Sequence, residues 1–205
     1  FFLHQPIKAT RLTFSNLRLL PAPSMAGIVD KYGQYTGDSW AGKIIQDSDF
    51  AASASKEEAD LRGQVGVGGR TRFGGWAEGP KRASSGFFRT EEIDGRWWLI
   101  DPDGRLFFSV GVNVVAADGK TFVTGREAMF ADLPKPNAPY SEFFGSDRTE
   151  HGGRTVSGQT YDFYSANLKR KFGTNWKERH RDHALRRLPS WGFNTIGNWS
   201  DRSFY

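Results

Sequence analysis

Leu106-Phe107-Phe108-Ser109-Val110-Gly111-Val112-Asn113-Val114-Val115 is the most apolar stretch of the chain. A near-continuous apolar run of this length reads as a strand buried on both faces, which is the mark of a parallel sheet. A second short apolar run, Phe193-Asn194-Thr195-Ile196-Gly197, lies far downstream and is closed by Asn198-Trp199-Ser200-Asp201. Between the two runs the spacing predicts two helices. Over 160–172, Tyr161, Tyr164, Leu168 and Phe172 recur at helical intervals, and Gly173 is the expected stop. Asn175 is the expected cap of the second helix, with Glu178 completing a capping box. Trp176, His180, Ala184 and Leu188 form its apolar stripe, and Pro189 and Gly192 end it. Strand, helices and strand make a βαβ crossover with parallel strands. A single such unit is the opening of a larger α/β domain.

Working outward, Asp94-Gly95 separates two strand-like runs and predicts a tight hairpin over 87–100, because both turn positions need positive φ. Asp101-Pro102-Asp103-Gly104 is a second turn. Residues 116–158 are rich in Gly, Pro and Asp and are expected to form one long loop. Upstream, a short helix is expected within 47–62, capped by Asp47 or Ser48. Residues 63–75 are Gly-rich and irregular. Gly66-Val67-Gly68-Gly69 lacks the Lys-Ser/Thr ending and the preceding apolar strand of a phosphate loop. Residues 7–20 alternate loosely and predict one or two strands, the tail of a β-sandwich, ended by Pro21-Ala22-Pro23.

Composition narrows the function classes. The 205 residues contain no cysteine, so a disulfide scaffold, a thiol nucleophile and Cys-ligated metal are excluded. Mean hydropathy is −0.57, and no run approaches the roughly 20 apolar residues of a spanning helix. Lys and Arg number 28 against 23 acidic residues, a net charge of +5. That balance is compatible with a polyanion partner. The basic runs Lys169-Arg170-Lys171 and Arg186-Arg187 sit in no nucleic-acid-binding module, however, and read as solvated helix faces. His180 and His183 stand three apart without a third ligand nearby, which reads as packing and not as a metal site. No Gly-x-Ser-x-Gly elbow marks a serine hydrolase.

The candidate binding residues come from strand position. In parallel α/β folds, ligands sit at the carboxyl ends of strands. Asn113 ends the first strand, and Asn198 and Trp199 end the second. Asparagine supplies a donor and an acceptor for hydroxyls, and the indole supplies a flat apolar face for a pyranose ring.

These residues carry a resemblance. Gly75-Trp76-Ala77-Glu78-Gly79-Pro80, Gly86-Phe87-Phe88-Arg89-Thr90, Asp94 through Gly104, Gly111-Val112-Asn113, Ala166-Asn167-Leu168 to Phe172-Gly173, and Trp191 through Asp201 resemble β-agarases of glycoside hydrolase family 50. Asp30-Lys31-Tyr32-Gly33-Gln34-Tyr35 with Trp40-Ala41-Gly42-Lys43 is similar to that family's interdomain segment. The resemblance implies a carbohydrate-binding-module-like β-sandwich joined to a (β/α)8 barrel. It implies retaining cleavage of β-1,4 linkages in agarose by two glutamates, with no metal or organic cofactor. On this reading, residues 1–25 end the sandwich, 26–85 link the domains, and 86–205 hold a barrel-closing hairpin and the first two barrel strands.

The family's acid/base and nucleophile lie near the ends of the fourth and seventh strands, and no glutamate here matches either position. Catalytic residues are therefore expected to be none in this segment, which by itself is expected to be inactive. Substrate contacts are expected at Asn113, Asn198 and Trp199, with agarose or a related galactan as partner and neither nucleic acid nor membrane. A secreted or periplasmic location is expected, with the leader lost upstream of Phe1. The alternative classes are a non-catalytic galactan-binding protein using the same surface and, less favoured, a basic nucleic-acid binder.

Overall fold

A computed structural model describes residues 23–64, 66–148 and 157–204, together with Thr13, Ser15 and Arg18. The strands expected over 7–20 and most of the expected sandwich tail lie outside the described residues. The described part is mixed α/β, with three small sheets and three helices.

The hairpin forms as the sequence requires. β1 (Arg89–Ile93) pairs antiparallel with β2 (Arg96–Ile100), and Asp94 and Gly95 both take positive φ, 51° and 72°. The Asp101–Gly104 turn then brings β3 (Leu106–Phe107) antiparallel onto β2, with Ile100 opposite Leu106. Ile100 and Asp101 are fully buried. The Asp101 carboxylate accepts from the backbone N–H groups of Asp103 and Arg105 and, across the chain, from the Thr71 hydroxyl. This pins the Gly-rich segment onto the hairpin turn.

The run 106–115 is not one strand. It breaks after Phe107, and β4 (Gly111–Val112) pairs instead with β8 (Thr195–Ile196) in a parallel ladder, Gly111 opposite Thr195. Asn194 manages the break. Its side-chain oxygen accepts from Val110 N–H, and its amide donates to the Phe108 and Gly74 carbonyls. The backbone thus changes partners between two sheets without stranding its polar groups. Burial on both faces holds at Leu106 and Phe107 but not beyond, since Phe108 is exposed.

The expected loop at 116–158 is also corrected. It contains β5 (Lys120–Phe122) and β6 (Phe144–Arg148), which flank β7 (Ser157–Asp162) in an antiparallel sheet. Gly, Ser and Asp dominate β6 and β7, residues of low or middling strand preference, so local pattern does not mark them. Packing does. Tyr161 and Val123 are fully buried with Phe163 and Ala166, and the Tyr161 ring meets Phe144 and Phe163 at 4.8 and 4.7 Å.

Tyr161 therefore belongs to a strand, and helix α2 (Phe163–Phe172) starts after Asp162, whose carboxylate caps it by accepting from Ser165 N–H. Gly173 ends α2 at φ 74°. A single 3-10 turn leads into α3 (Trp176–Ser190). Asn175 occupies the N-cap position without a side-chain cap bond, so the expected capping box does not form.

Helix α1 (Ser48–Gly63) packs on α2 and α3, burying Phe50 and Leu61. Asp47 precedes it, yet its carboxylate accepts from the Tyr32 hydroxyl at 2.6 Å and pairs with Lys31 instead of capping the helix. The basic runs read as solvated faces are engaged. Lys171, Arg186 and Arg187 are paired with Glu57, Glu58 and Asp60 of α1, and Lys169 with Glu142. Among the described residues, no helix is long and apolar enough to cross a membrane.

Candidate functional site

The site begins where the parallel ladder ends. Beyond Val112 and Ile196 the two segments stay bonded: Gly197 N–H donates to Val112 O, Val114 N–H to Asn198 O, and Asp201 N–H to Val115 O. Asn113 lies at this end, and its side-chain oxygen accepts from Asn198 N–H at 3.0 Å. A Cβ at 197 would lie 2.1 Å from that oxygen, so any residue but glycine there would displace the Asn113 side chain from its bond to Asn198. Val114 and Trp199 both take positive φ, 59° and 60°. For a β-branched valine this is a strained conformation, retained only where surrounding bonds over-determine it. The left-handed turn at 199 turns the indole outward, and Trp199 is 75% exposed.

Trp199 borders a groove of about 880 Å³. The loop after β4 contributes Ala116, Ala117 and Asp118, the loop after β8 contributes Asp201, Ser203 and Phe204, and the start of α3 contributes Trp176, Lys177, Glu178, His180 and Arg181. Helix starts and strand carboxyl ends meet here because a crossover helix runs back against its strand. Phe143 and Trp176 meet edge to face at 5.8 Å. The Tyr164 hydroxyl lies 3.2 Å from His180 Nε2.

The electrostatics separate fixed charges from neutral groups. Ser203, through its backbone N–H and its side chain, holds the Asp201 carboxyl below its ordinary range, so Asp201 is ionised. Burial pushes the His180 imidazole down against the pull of Asp201, so it is neutral at pH 7. Lys169 holds Glu142 low. The groove thus offers an exposed indole, further aromatic edges, and carboxylates that accept from hydroxyls. That chemistry suits a sugar ring, whose C–H face packs on an indole while its hydroxyls donate to anions.

The three residues expected from the sequence are brought to one end of the parallel pair, but in different roles. Trp199 faces the groove. Asn113 spends its side-chain oxygen on the loop backbone, and Asn198 uses both its backbone N–H and its carbonyl in the same turn. By sequence Trp176 belongs to the helix stripe and Asp118 to the long loop, and the groove gathers both. Nothing in their local sequence separates them from packing or loop residues. Of the other glutamates, Glu91 is paired with Arg82 and Arg89 in the hairpin, and Glu127 accepts from Gly125 N–H. Among the described residues, no group of three or more His, Asp or Glu is arranged to hold a metal.

No protein-family model matches the chain. Beta-agarase B of Vibrio sp. (strain JT0107) aligns with 100% of it at 34% identity, over 24% of that protein's length. Beta-agarase A of the same organism aligns with 95% of it at 28% identity, over 21% of its length. The chain thus spans about a quarter of the length of these curated relatives. Among solved structures, PfGH50B superimposes with a TM-score of 0.80 at 34% identity, covering 93% of this chain and 30% of the other. An exo-beta-agarase gives 0.81 at 30% identity, with 93% and 32% covered. The agarase AgWH50C gives 0.77 at 34% identity, with 88% and 28% covered.

Proposed function

We propose that the chain is a segment of a β-agarase of glycoside hydrolase family 50, part of a retaining glycoside hydrolase that cleaves β-1,4 linkages of agarose; its similarity to beta-agarase B, PfGH50B and an exo-beta-agarase supports this reading. In this reading β4 and β8 are the first two strands of a (β/α)8 barrel, and the hairpin of β1 and β2 closes its amino-terminal end. Residues 1–25 end a carbohydrate-binding β-sandwich, and 26–85 connect it to the barrel. The enzyme acts outside the cell or in the periplasm, where its polysaccharide is.

The role of this segment is to bind. Trp199 stacks on a galactose ring at the carboxyl end of the barrel, and Asn113 and Asn198 shape the turn that presents it and meet the sugar's hydroxyls. The catalytic glutamates lie on later strands. In retaining enzymes the two carboxyls stand about 5 to 5.5 Å apart, one attacking the anomeric carbon while the other protonates the leaving oxygen. No glutamate of this segment is assigned either task, so the segment alone releases no reducing ends. The supporting observation is the exposed indole of Trp199, held by a left-handed turn over a groove at the carboxyl ends of two parallel strands.

The test is electrophoretic retardation of the chain in gels containing agarose. Retardation is expected for the wild type and for Trp199→Phe, and its loss for Trp199→Ala. Equal retardation of the alanine variant would remove Trp199 from the site. Reducing-end release by the 205-residue chain would show that a catalytic pair lies within it.

A further inference from the structure

The turn that carries Trp199 is held from the loop opposite it. Asn198 N–H donates to the Asn113 side-chain oxygen at 3.0 Å, and Asn198 O accepts from Val114 N–H at 3.0 Å. On the other side of the indole, Asp201 N–H donates to Val115 O at 2.9 Å. Ser200 links the two sides. Its hydroxyl accepts from Val115 N–H at 3.0 Å and donates to Gly197 O at 2.9 Å. One oxygen thus ties the turn to the loop after β4 and the end of the turn to its start. A hydroxyl has one proton to give and lone pairs to receive, and Ser200 uses both functions here. Trp199 takes part in none of these bonds. Ser200 is half-buried and lies outside the residues that border the groove.

The conformation of Val114 makes this possible. In an extended strand successive N–H groups point to opposite edges, yet the N–H groups of Val114 and Val115 both reach the 197–201 turn. The left-handed φ of 59° at Val114 produces that, as the first residue of a bulge does. A β-branched residue is strained there, and it persists because the bonds to Asn198 O and the Ser200 hydroxyl over-determine it. Trp199 is left-handed as well, at 60°, and the carbonyl that precedes it is the one Val114 holds. The peptide before the indole and the residue after it are therefore both anchored to the opposite loop. Together they fix the direction in which the ring leaves the backbone.

We infer that Ser200 is a positioning residue for the sugar platform: with the bulge at Val114, it clamps the Trp199 indole toward the groove before any ligand arrives. The inference rests on the proposed stacking of Trp199 on a galactose ring. A platform that is already ordered avoids the entropy cost of ordering it on binding. Removing the Ser200 hydroxyl is expected to weaken binding about threefold to tenfold, the effect of roughly one net hydrogen bond. Ser200 itself touches no sugar and acts through Trp199.

The experiment compares the 205-residue chain with Ser200→Ala, Ser200→Thr, Val114→Gly and Trp199→Ala in gels of graded agarose concentration, with urea unfolding of each. A 19F NMR spectrum of chain containing 5-fluorotryptophan reports the indole itself, the Trp199 line being assigned by its loss in Trp199→Phe. Ser200→Ala should be retarded less than the wild type while still folded in buffer. Its Trp199 line should move toward the position found in the urea-unfolded chain. Ser200→Thr keeps the hydroxyl and should restore both signals. Val114→Gly takes the left-handed turn without strain and should keep both. Loss of either in Val114→Gly would mean that the valine side chain, and not the bulge, holds the turn, and would overturn the clamp. So would an unmoved Trp199 line in Ser200→Ala, or a threonine variant no better than the alanine one. Ser200→Ala that unfolds in buffer would give Ser200 a role in the whole fold and also overturn it. If Trp199→Ala loses retardation while Ser200→Ala keeps all of it, stacking stands and the clamp fails. If Trp199→Ala is retarded like the wild type, the stacking reading fails, and the Trp199 line still decides whether Ser200 holds the ring.

Discussion

Replacing Asp101 tests the junction that holds the Gly-rich segment to the hairpin. Its carboxylate is fully buried and accepts from Asp103 N–H at 3.0 Å, Arg105 N–H at 2.8 Å and the Thr71 hydroxyl at 2.6 Å. A hydrogen bond to a charged group contributes about 1.5 to 3 kcal/mol, and a donor left buried without a partner costs about 1 to 3. Asp101→Ala strands all three donors, so about 3 to 5 kcal/mol is expected after partial relaxation. At the roughly 2 to 4 °C per kcal/mol of a chain this size, the melting midpoint should fall by about 10 °C. Asp101→Asn separates charge from geometry. The two backbone donors share Oδ1, which the amide retains, but the Thr71 hydroxyl already accepts from Phe73 N–H and Gly75 N–H, so its proton meets the new NH2 donor to donor and only that one bond is lost. That variant should lose about 1 to 2 kcal/mol. Urea titration with calorimetric melting measures both. An alanine variant within 1 kcal/mol of wild type, or an asparagine variant as damaged as the alanine one, would refute the view that this carboxylate organises the junction.

Two further outcomes are expected. Gly104 takes φ 86°, and a Cβ there would lie 2.3 Å from the Arg82 carbonyl, so Gly104→Ala should cost about 2 kcal/mol or more where a strain-free exchange would be near neutral, as read in the same melts. At acid pH the α1 contacts should fail. Burial alone would raise Glu57, but Lys171 and Arg187 outweigh it and keep it low, as Arg186 does for Glu58 and Arg187 for Asp60. Carboxyls depressed by folding contribute stability that is present above their ordinary range near pH 4.3 and lost as pH falls through their lowered values. The midpoint should therefore drop between pH 5 and 3, less steeply in a Glu57→Gln/Glu58→Gln double variant, and identical slopes would contradict the assignment.

How much of this could be read from residues alone depends on the range of the forces involved. The Asp94-Gly95 turn and the Gly173 stop are set by backbone sterics within a few residues, and both stand where the sequence puts them. The parallel partnership of 111–112 with 195–196 was legible because two apolar runs bracket helical spacing. The break after Phe107 was not. It depends on Asn194, whose side chain reaches Val110, Phe108 and Gly74 only once the fold exists.

The β5–β7–β6 sheet was hidden for a related reason. Its strands are polar and glycine-bearing, and they are held by Tyr161 and Phe144 packing on Phe163 and not by their own preferences. The basic runs look solvated in sequence because the α1 carboxylates that pair with Lys171, Arg186 and Arg187 lie over a hundred residues upstream.

The sequence by itself determined the crossover, the tight turns and the end of the parallel pair where Trp199 stands, because φ preference and apolar periodicity act locally. Tertiary structure alone decided what each side chain does there. It committed the Asn113 oxygen to the loop backbone, gathered Trp176 and Asp118 around Trp199, and buried His183 between two carboxylates of α1. Those outcomes rest on burial and charge pairing between segments far apart in the chain, which no local pattern encodes.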